Sequence, residues 1–198
     1  LARRGGGRIV MDCAVGDMVT SGSLLLQVHG GTAPLPEAEL LRAIGLGLER
    51  TFEQDAKYPI RLLVDIAIKA LSPAINDPTT AVQALDQIDD LLRRLARQKL
   101  DIGRVRDAEG RLRVVFPAPS WEDYLALAFD EIRMFGITSI QVLRRLRTAL
   151  IGLEELIGED ARAGPVRRYL AHVDAAIEGS ALDEIDRGSA RKEDPQGL

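Results

Sequence analysis

The sequence predicts an α+β fold that is mostly α, and three features carry that expectation. After Pro36 most of the chain places apolar residues at helical spacing. Before it, from Arg8 to Gly30, β-branched and apolar residues run between glycines and short polar turns. A second such stretch, IGRVRDAEGRLRVVF at Ile102–Phe116, interrupts the helical part. The expected organisation is a flexible lead-in at 1–7, a small β platform at 8–33, a helical domain at 34–186 with a β-hairpin near 102–116, and a disordered tail at 187–198.

Leu1–Gly7 is basic and ends in three glycines, which have no side chains to bury, so it is expected to be flexible. Strands are expected at Ile9–Ala14 and Leu24–Val28, with a short extended piece at Met18 and Val19. The spacing GDxVxxGxxL from Gly16 to Leu25 resembles the hammerhead hairpin of biotinyl and lipoyl domains. Gly16 and Gly22 supply turn conformations that a Cβ resists. The resemblance covers about half of such a barrel, and no lysine stands at the tip of the hairpin, so carriage of a prosthetic group is not expected. The missing strands lie upstream in a longer protein or in the hairpin further along. An edge left incomplete invites pairing with another subunit.

A helix is expected from Pro36 or Glu37 to about Phe52, with Leu40, Leu41, Ile44, Leu48 and Phe52 on one face. Gly45 and Gly47 each weaken it by about 1 kcal/mol relative to alanine. From Pro78 to about Lys99, Ala81, Leu85, Ile88, Leu92 and Leu95 repeat in steps of four and three, a packing seam. Arg93, Arg94, Arg97 and Lys99 make its last turns basic, which complements the helix dipole. The hairpin turns at Asp107–Gly110. Ser120 caps a helix to Phe135, with Asp123 closing a variant capping box and Trp121, Tyr124, Leu125, Ala128, Ile132 and Phe135 inward. Thr138 starts another helix to about Ile157, with Leu143, Leu146, Leu150, Leu153 and Ile157 at heptad spacing. Its Arg144, Arg145 and Arg147 are read as a solvated face, or as a contact for an anionic membrane surface or an acidic partner. A last helix from about Pro165 to Glu178 turns Val166, Tyr169, Leu170, Val173 and Ile177 inward.

The chain is organised around Arg50–Ala81, RTFEQDAKYPIRLLVDIAIKALSPAINDPTTA. Ile60–Leu71 is apolar almost all the way round a helix, and such a helix belongs in a core. Its polar positions, Arg61, Asp65, Lys69 and Ser72, fall three or four apart on one stripe. Either they form a solvated salt ladder, or they are a buried face whose charges meet Arg50, Gln54 or Asp55. Pro73 ends that helix by disfavouring the α region at Ser72. Asp77 before Pro78 is an N-cap followed by proline at N1. Asp55, Asp65 and Asp77, with Gln54, Asn76, Thr79 and Thr80, form an oxygen-rich set that suits a hard cation or a small polar ligand. The candidate ligand-binding residues are therefore Arg50, Gln54, Asp55, Arg61, Asp65, Ser72, Asn76, Asp77, Thr79 and Thr80. No catalytic residue, metal or cofactor is assigned.

The run RTxxQDxxYxIRxLVDIAxKALSPAINDPTTA closely resembles the signature of a family of predicted bacterial integral membrane proteins known as domain of unknown function 2254. Weaker similarity extends from about Arg8 to about Gly158. The resemblance implies an N-terminal block of transmembrane helices followed by a soluble domain. This chain would be that C-terminal part, on the cytoplasmic side of the inner membrane, and its first residue, Leu1, fits a piece of a longer protein. The resemblance implies no activity.

With 26 basic residues against 30 acidic ones, the net charge of -4 offers no general attraction to nucleic acid. A single cysteine, Cys13, rules out an intramolecular disulfide, and His29 and His172 lack the spacing of a zinc site. No stretch approaches the roughly 18 to 20 apolar residues of a membrane-spanning helix, so this part is expected to be soluble. No P-loop, GxSxG or GxGxxG motif is present. The expected role is a non-enzymatic domain of a bacterial membrane protein, serving oligomerisation, gating or sensing. Its expected partners are further copies of itself and the protein's own transmembrane segments, with the anionic membrane surface as a further possible contact. The alternative is a small-ligand- or metal-dependent enzyme with its site at the polar helix elbow.

Overall fold

The computed structural model describes residues 1–192. It is mixed α+β and mostly helical, with two compact units, Leu1–Tyr58 with Lys99–Pro119, and Pro59–Gln98 with Ser120 onward.

The first unit is built on a four-stranded sheet. Strands β1 (Arg8–Met11) and β2 (Leu26–His29) pair antiparallel, with Ile9 opposite Val28 and Met11 opposite Leu26. Strands β3 (Arg104–Arg106) and β4 (Leu112–Val115) form the expected hairpin. Gly110 adopts φ 78°, and Asp107 accepts from the Arg111 amide at 2.8 Å and from Arg113 Nε at 2.7 Å. Strand β4 then lies parallel to β1, giving the order β2-β1-β4-β3. The later hairpin thus joins the N-terminal strands in one sheet, and no half-barrel is formed among the described residues. The sheet is open, with β2 and β3 at its edges, and no strand forms at Met18–Val19. Gly16 and Gly22 do take positive φ, 88° and 85°, in two tight turns.

Two expectations in this unit are corrected. The lead-in is not a structureless segment, because Ala2–Gly5 form a short helix α1, and Ala2 packs with Ile9 and Leu40 in a small apolar cluster. The helix expected to reach Phe52 stops early, as α2 (Glu37–Arg42), and Leu46, Leu48 and Phe52 stand exposed. Two glycines within three residues remove the side chains that would have repaid their helix penalty by packing.

The second unit is helical. Around α6 (Ile140–Ile157) pack α4 (Pro78–Leu95), α5 (Trp121–Phe135), α7 (Ala163–Glu178) and α8 (Glu184–Ala190). The expected seams are buried at Ala81, Leu85, Ile88 and Leu92 on α4 and at Leu143, Leu146, Leu150 and Leu153 on α6, whereas their last members, Leu95 and Ile157, are only half-buried. Ser120 and Asp123 form the full capping box of α5. Ser139, not Thr138, caps α6. Arg162 closes the C-terminal end of α4, donating to the carbonyls of Ala96 at 2.5 Å and Gln98 at 2.8 Å, while its own carbonyl accepts from Trp121 Nε1 at 3.1 Å. Phe135 is exposed rather than inward, and Tyr169 and Leu170 are only half-buried.

Three further corrections fall here. The tail expected to be disordered from 187 carries most of α8, capped by Asp183, with Ala190 buried. Its last carbonyls accept from α6 arginines, Ser189 from Arg144 Nε at 3.0 Å and Arg191 from Arg147 Nη1 at 3.3 Å. Residues 193–198 of that tail lie outside the described residues. The arginine run of α6 is accordingly not a solvated face. Finally, helix α3 (Lys57–Ala70) is not buried all round: Ile60, Val64, Ala67 and Ala70 are buried, whereas Leu62 and Ile66 are exposed.

Candidate functional site

The candidate residues fall into separate clusters, each with its own internal partners. In the first unit Asp55 is only 5% exposed. A buried carboxylate needs charge and hydrogen bonds to offset lost hydration. Arg50 supplies two to Oδ2, from Nε at 2.8 Å and Nη2 at 2.5 Å, and the Lys57 amide donates to Oδ1 at 3.1 Å. The Arg50 guanidinium lies 5.0 Å from the centre of the Tyr58 ring, which stacks on Phe52 at 5.1 Å. Gly16 comes against this group, since a Cβ there would stand 2.2 Å from Asp55 Oδ2. Gln54, expected to join the set, is exposed.

In the second unit Arg61 is the hub. Its Nε donates to Asp65 Oδ1 at 2.8 Å, and its Nη atoms bind Glu131 of α5, the Nη2 bond to Oε2 being 3.2 Å. The hydrogen bonds that Arg61 donates to Glu131 first, and then to Asp65, raise the Arg61 pKa, and the bond from Arg61 holds Glu131 below the usual carboxylate range. Glu131 was not legible from the sequence, because it lies 70 residues away.

The elbow is a chain of caps. Ser72 Oγ donates to the Lys69 carbonyl at 2.7 Å, and the Ser72 carbonyl accepts from the Ile75 and Asn76 amides at 3.0 and 2.9 Å. Asn76 takes φ 49°, a left-handed conformation that asparagine tolerates better than most residues. Asp77 caps α4 as expected, Oδ1 accepting from the Thr80 amide at 3.1 Å and Oδ2 from the Thr80 hydroxyl at 2.5 Å. Thr79 is exposed.

The Thr80 hydroxyl and amide lower the Asp77 pKa, and Arg113 lowers that of Asp107 in the hairpin. A carboxylate whose folded pKa is depressed adds stability that is complete above its unfolded value, about 4, and is lost as the pH falls through the folded value. Asp77→Asn should therefore match the wild type near pH 7 and flatten part of the loss seen on acidification. Asp77→Ala should lower the urea midpoint at every pH. Melts with and without a divalent cation check the role: a cation-dependent gain in the wild type that Asp77→Asn abolishes would refute the cap-only reading.

A further polar cluster escaped the sequence reading. Arg145 of α6 donates from Nε to Asp86 at 2.5 Å and from Nη2 to Asp89 at 3.0 Å, and Asp89 also accepts from Arg93 Nε at 2.9 Å. The i,i+4 spacing of Asp89 and Arg93 on α4 was a visible signal, but the partner on α6 was not. Among the described residues no group of three or more His, Cys, Asp or Glu is placed to hold a metal ion. An open groove on the first unit is lined by Gly6, Gly7, Arg8, His29, Gly30, Leu112 and Arg113, none of them a candidate residue.

The family profile described as "Predicted membrane protein (DUF2254)" matches residues 1–151, a span that includes the whole Arg50–Ala81 signature. The chain belongs to the DUF2254 family. Among its relatives are the uncharacterized proteins Mb1321c of Mycobacterium bovis and Rv1290c of Mycobacterium tuberculosis, each 36% identical over 179 residues. That alignment covers 87% of this chain and 34% of each relative, so this DUF2254 chain spans about a third of their length. No solved structure matches the chain. Among the described residues, no helix is long and apolar enough to cross a membrane.

Proposed function

We propose that this chain is a non-enzymatic domain of a bacterial DUF2254 membrane protein, on the cytoplasmic side of the inner membrane, and that it serves to assemble copies of that protein. The observation that carries the reading is how the candidate acids are used. Asp55, Asp65 and Asp77 each accept hydrogen bonds from a side chain or amide of their own unit, as structural acids do. Surfaces suited to assembly accompany them. The edge strand β3 is exposed along Arg104–Arg106, and α3 presents apolar residues outward. An unpaired edge and an uncovered helix face are both places where another chain can add.

Size exclusion with light scattering tests assembly directly. Species larger than one chain should grow with concentration, and a strict monomer at high concentration would count against the reading. For sidedness, Asp101, which is exposed, can be replaced by cysteine in a full-length family protein whose residue equivalent to Cys13 is serine. An impermeant thiol reagent should label it only after lysis, and efficient labelling in intact spheroplasts would place the domain on the other side.

A further inference from the structure

The geometry points to the outward face of α3, carrying Leu62, Asp65, Ile66 and Lys69, as the surface on which a second copy of this chain docks, with the two α3 helices antiparallel about a two-fold axis. This rests on the assembly reading above and assigns it a place.

Helix α3 is apolar on nearly every side, the pattern of a helix covered all round. One side is buried, at Ile60, Val64, Ala67 and Ala70. On the other, Leu62 is 37% and Ile66 49% exposed. Single exposed apolar residues are ordinary on protein surfaces. These two are i and i+4, so they adjoin on the helix surface. The neighbouring helix provides the contrast, because the outward positions of α4 are Gln83, Gln87, Asp90 and Arg94. Nor does helix propensity explain Ile66, since a β-branched residue forms helix less readily than the glutamines and arginine outward on α4.

Charge selects the occupant. Asp65 and Lys69 stand exposed one turn apart with opposite signs. Arg61 engages Asp65 through Oδ1. A face with an acid and a base one turn apart is complementary to itself when two copies run antiparallel. With the axis level with residue 67, each residue lies about 1.5 Å further along for every position from the centre. Asp65 then stands opposite the partner's Lys69, and the two Ile66 side chains meet beside the axis. Such a contact is isologous, as a two-fold dimer requires. An anionic lipid surface gains no net attraction from this face, because Asp65 offsets Lys69. Four side chains on one helix are far fewer than the roughly 20–30 residues a side of a standard interface, so the dimer is weak and concentration-dependent.

Sedimentation equilibrium of the chain over rising concentration tests this, with circular dichroism melts confirming that each variant folds. The wild type should show reversible monomer–dimer exchange. Ile66→Asp should raise the dissociation constant at least tenfold. Asp65→Lys and Lys69→Asp should each weaken association, and an equimolar mixture of the two should restore it, since every cross-pair in the mixed dimer is attractive. A wild type that stays monomeric throughout overturns both this inference and the assembly reading. A dimer indifferent to Ile66→Asp overturns the α3 assignment while leaving assembly standing. Loss on Ile66→Asp without recovery in the mixture overturns the antiparallel arrangement.

Discussion

Replacing Arg145 with methionine should destabilise the helical unit by about 3 kcal/mol, the lower end of the cost of breaking a buried ion pair. The Arg145 side chain is 13% exposed and joins Asp86 and Asp89, and the Asp89 side chain is 8% exposed. Methionine keeps most of the aliphatic stem and its packing, so the loss reports the charge. Asp89 would be left with Arg93 alone, whose side chain is more exposed. Asp86→Asn should cost much less, because the Asp86 side chain is 40% exposed. Urea denaturation followed by Trp121 fluorescence measures both. A second substitution, Asp89→Leu in the Arg145→Met background, should recover part of the loss, since an apolar pair does not carry the desolvation penalty of an unpaired acid. A loss below about 1 kcal/mol for Arg145→Met would mean that the network behaves like an exposed pair.

The second large effect is expected at Gly16. Its φ of 88° disfavours any residue with a Cβ by about 1–2 kcal/mol. Gly22 shares that cost, with φ 85°, but a Cβ there meets nothing within 4 Å. At Gly16 the same atom would stand 2.2 Å from Asp55 Oδ2 and 3.1 Å from Arg50 Nη2, so the buried carboxylate must move off its donors. Gly16→Ala should therefore cost about 3 kcal/mol in the first unit, and Gly22→Ala about 1 kcal/mol. Hydrogen exchange at the Val10 and Val114 amides reads the stability of that unit without depending on the helices. Equal losses for the two alanine variants would show that Asp55 yields freely and that strain alone is at work.

Both positions show why part of this protein was legible and part was not. Gly16 could be assigned a turn from its neighbours, but its closeness to Asp55 brings together residues 39 positions apart in the chain. The polar stripe of α3 reads as a ladder within itself or as a face meeting Arg50, Gln54 or Asp55; the Arg61–Asp65 pair of that ladder forms, and Glu131 of α5, distant in sequence, joins it. The arginines of α6 looked like a solvated run, since nothing local pairs with them. They bind Asp86 and Asp89 of α4, Asp174 of α7 and the carbonyls that end α8.

What the sequence determined by itself is what closes over a few residues. The Asp77 cap before Pro78, the Ser120–Asp123 box, the turn at Asp107–Gly110 and most of the seams of α4 and α6 rest on hydrogen bonds or side-chain periodicity spanning a turn or two. Only the tertiary structure decided where the hairpin of β3 and β4 pairs, which side of α3 is covered, where α2 stops and that α8 forms. Those outcomes depend on contacts between distant segments. A buried charge or an apolar face restricts the kind of partner it takes, and the folded chain decides which residue that partner is.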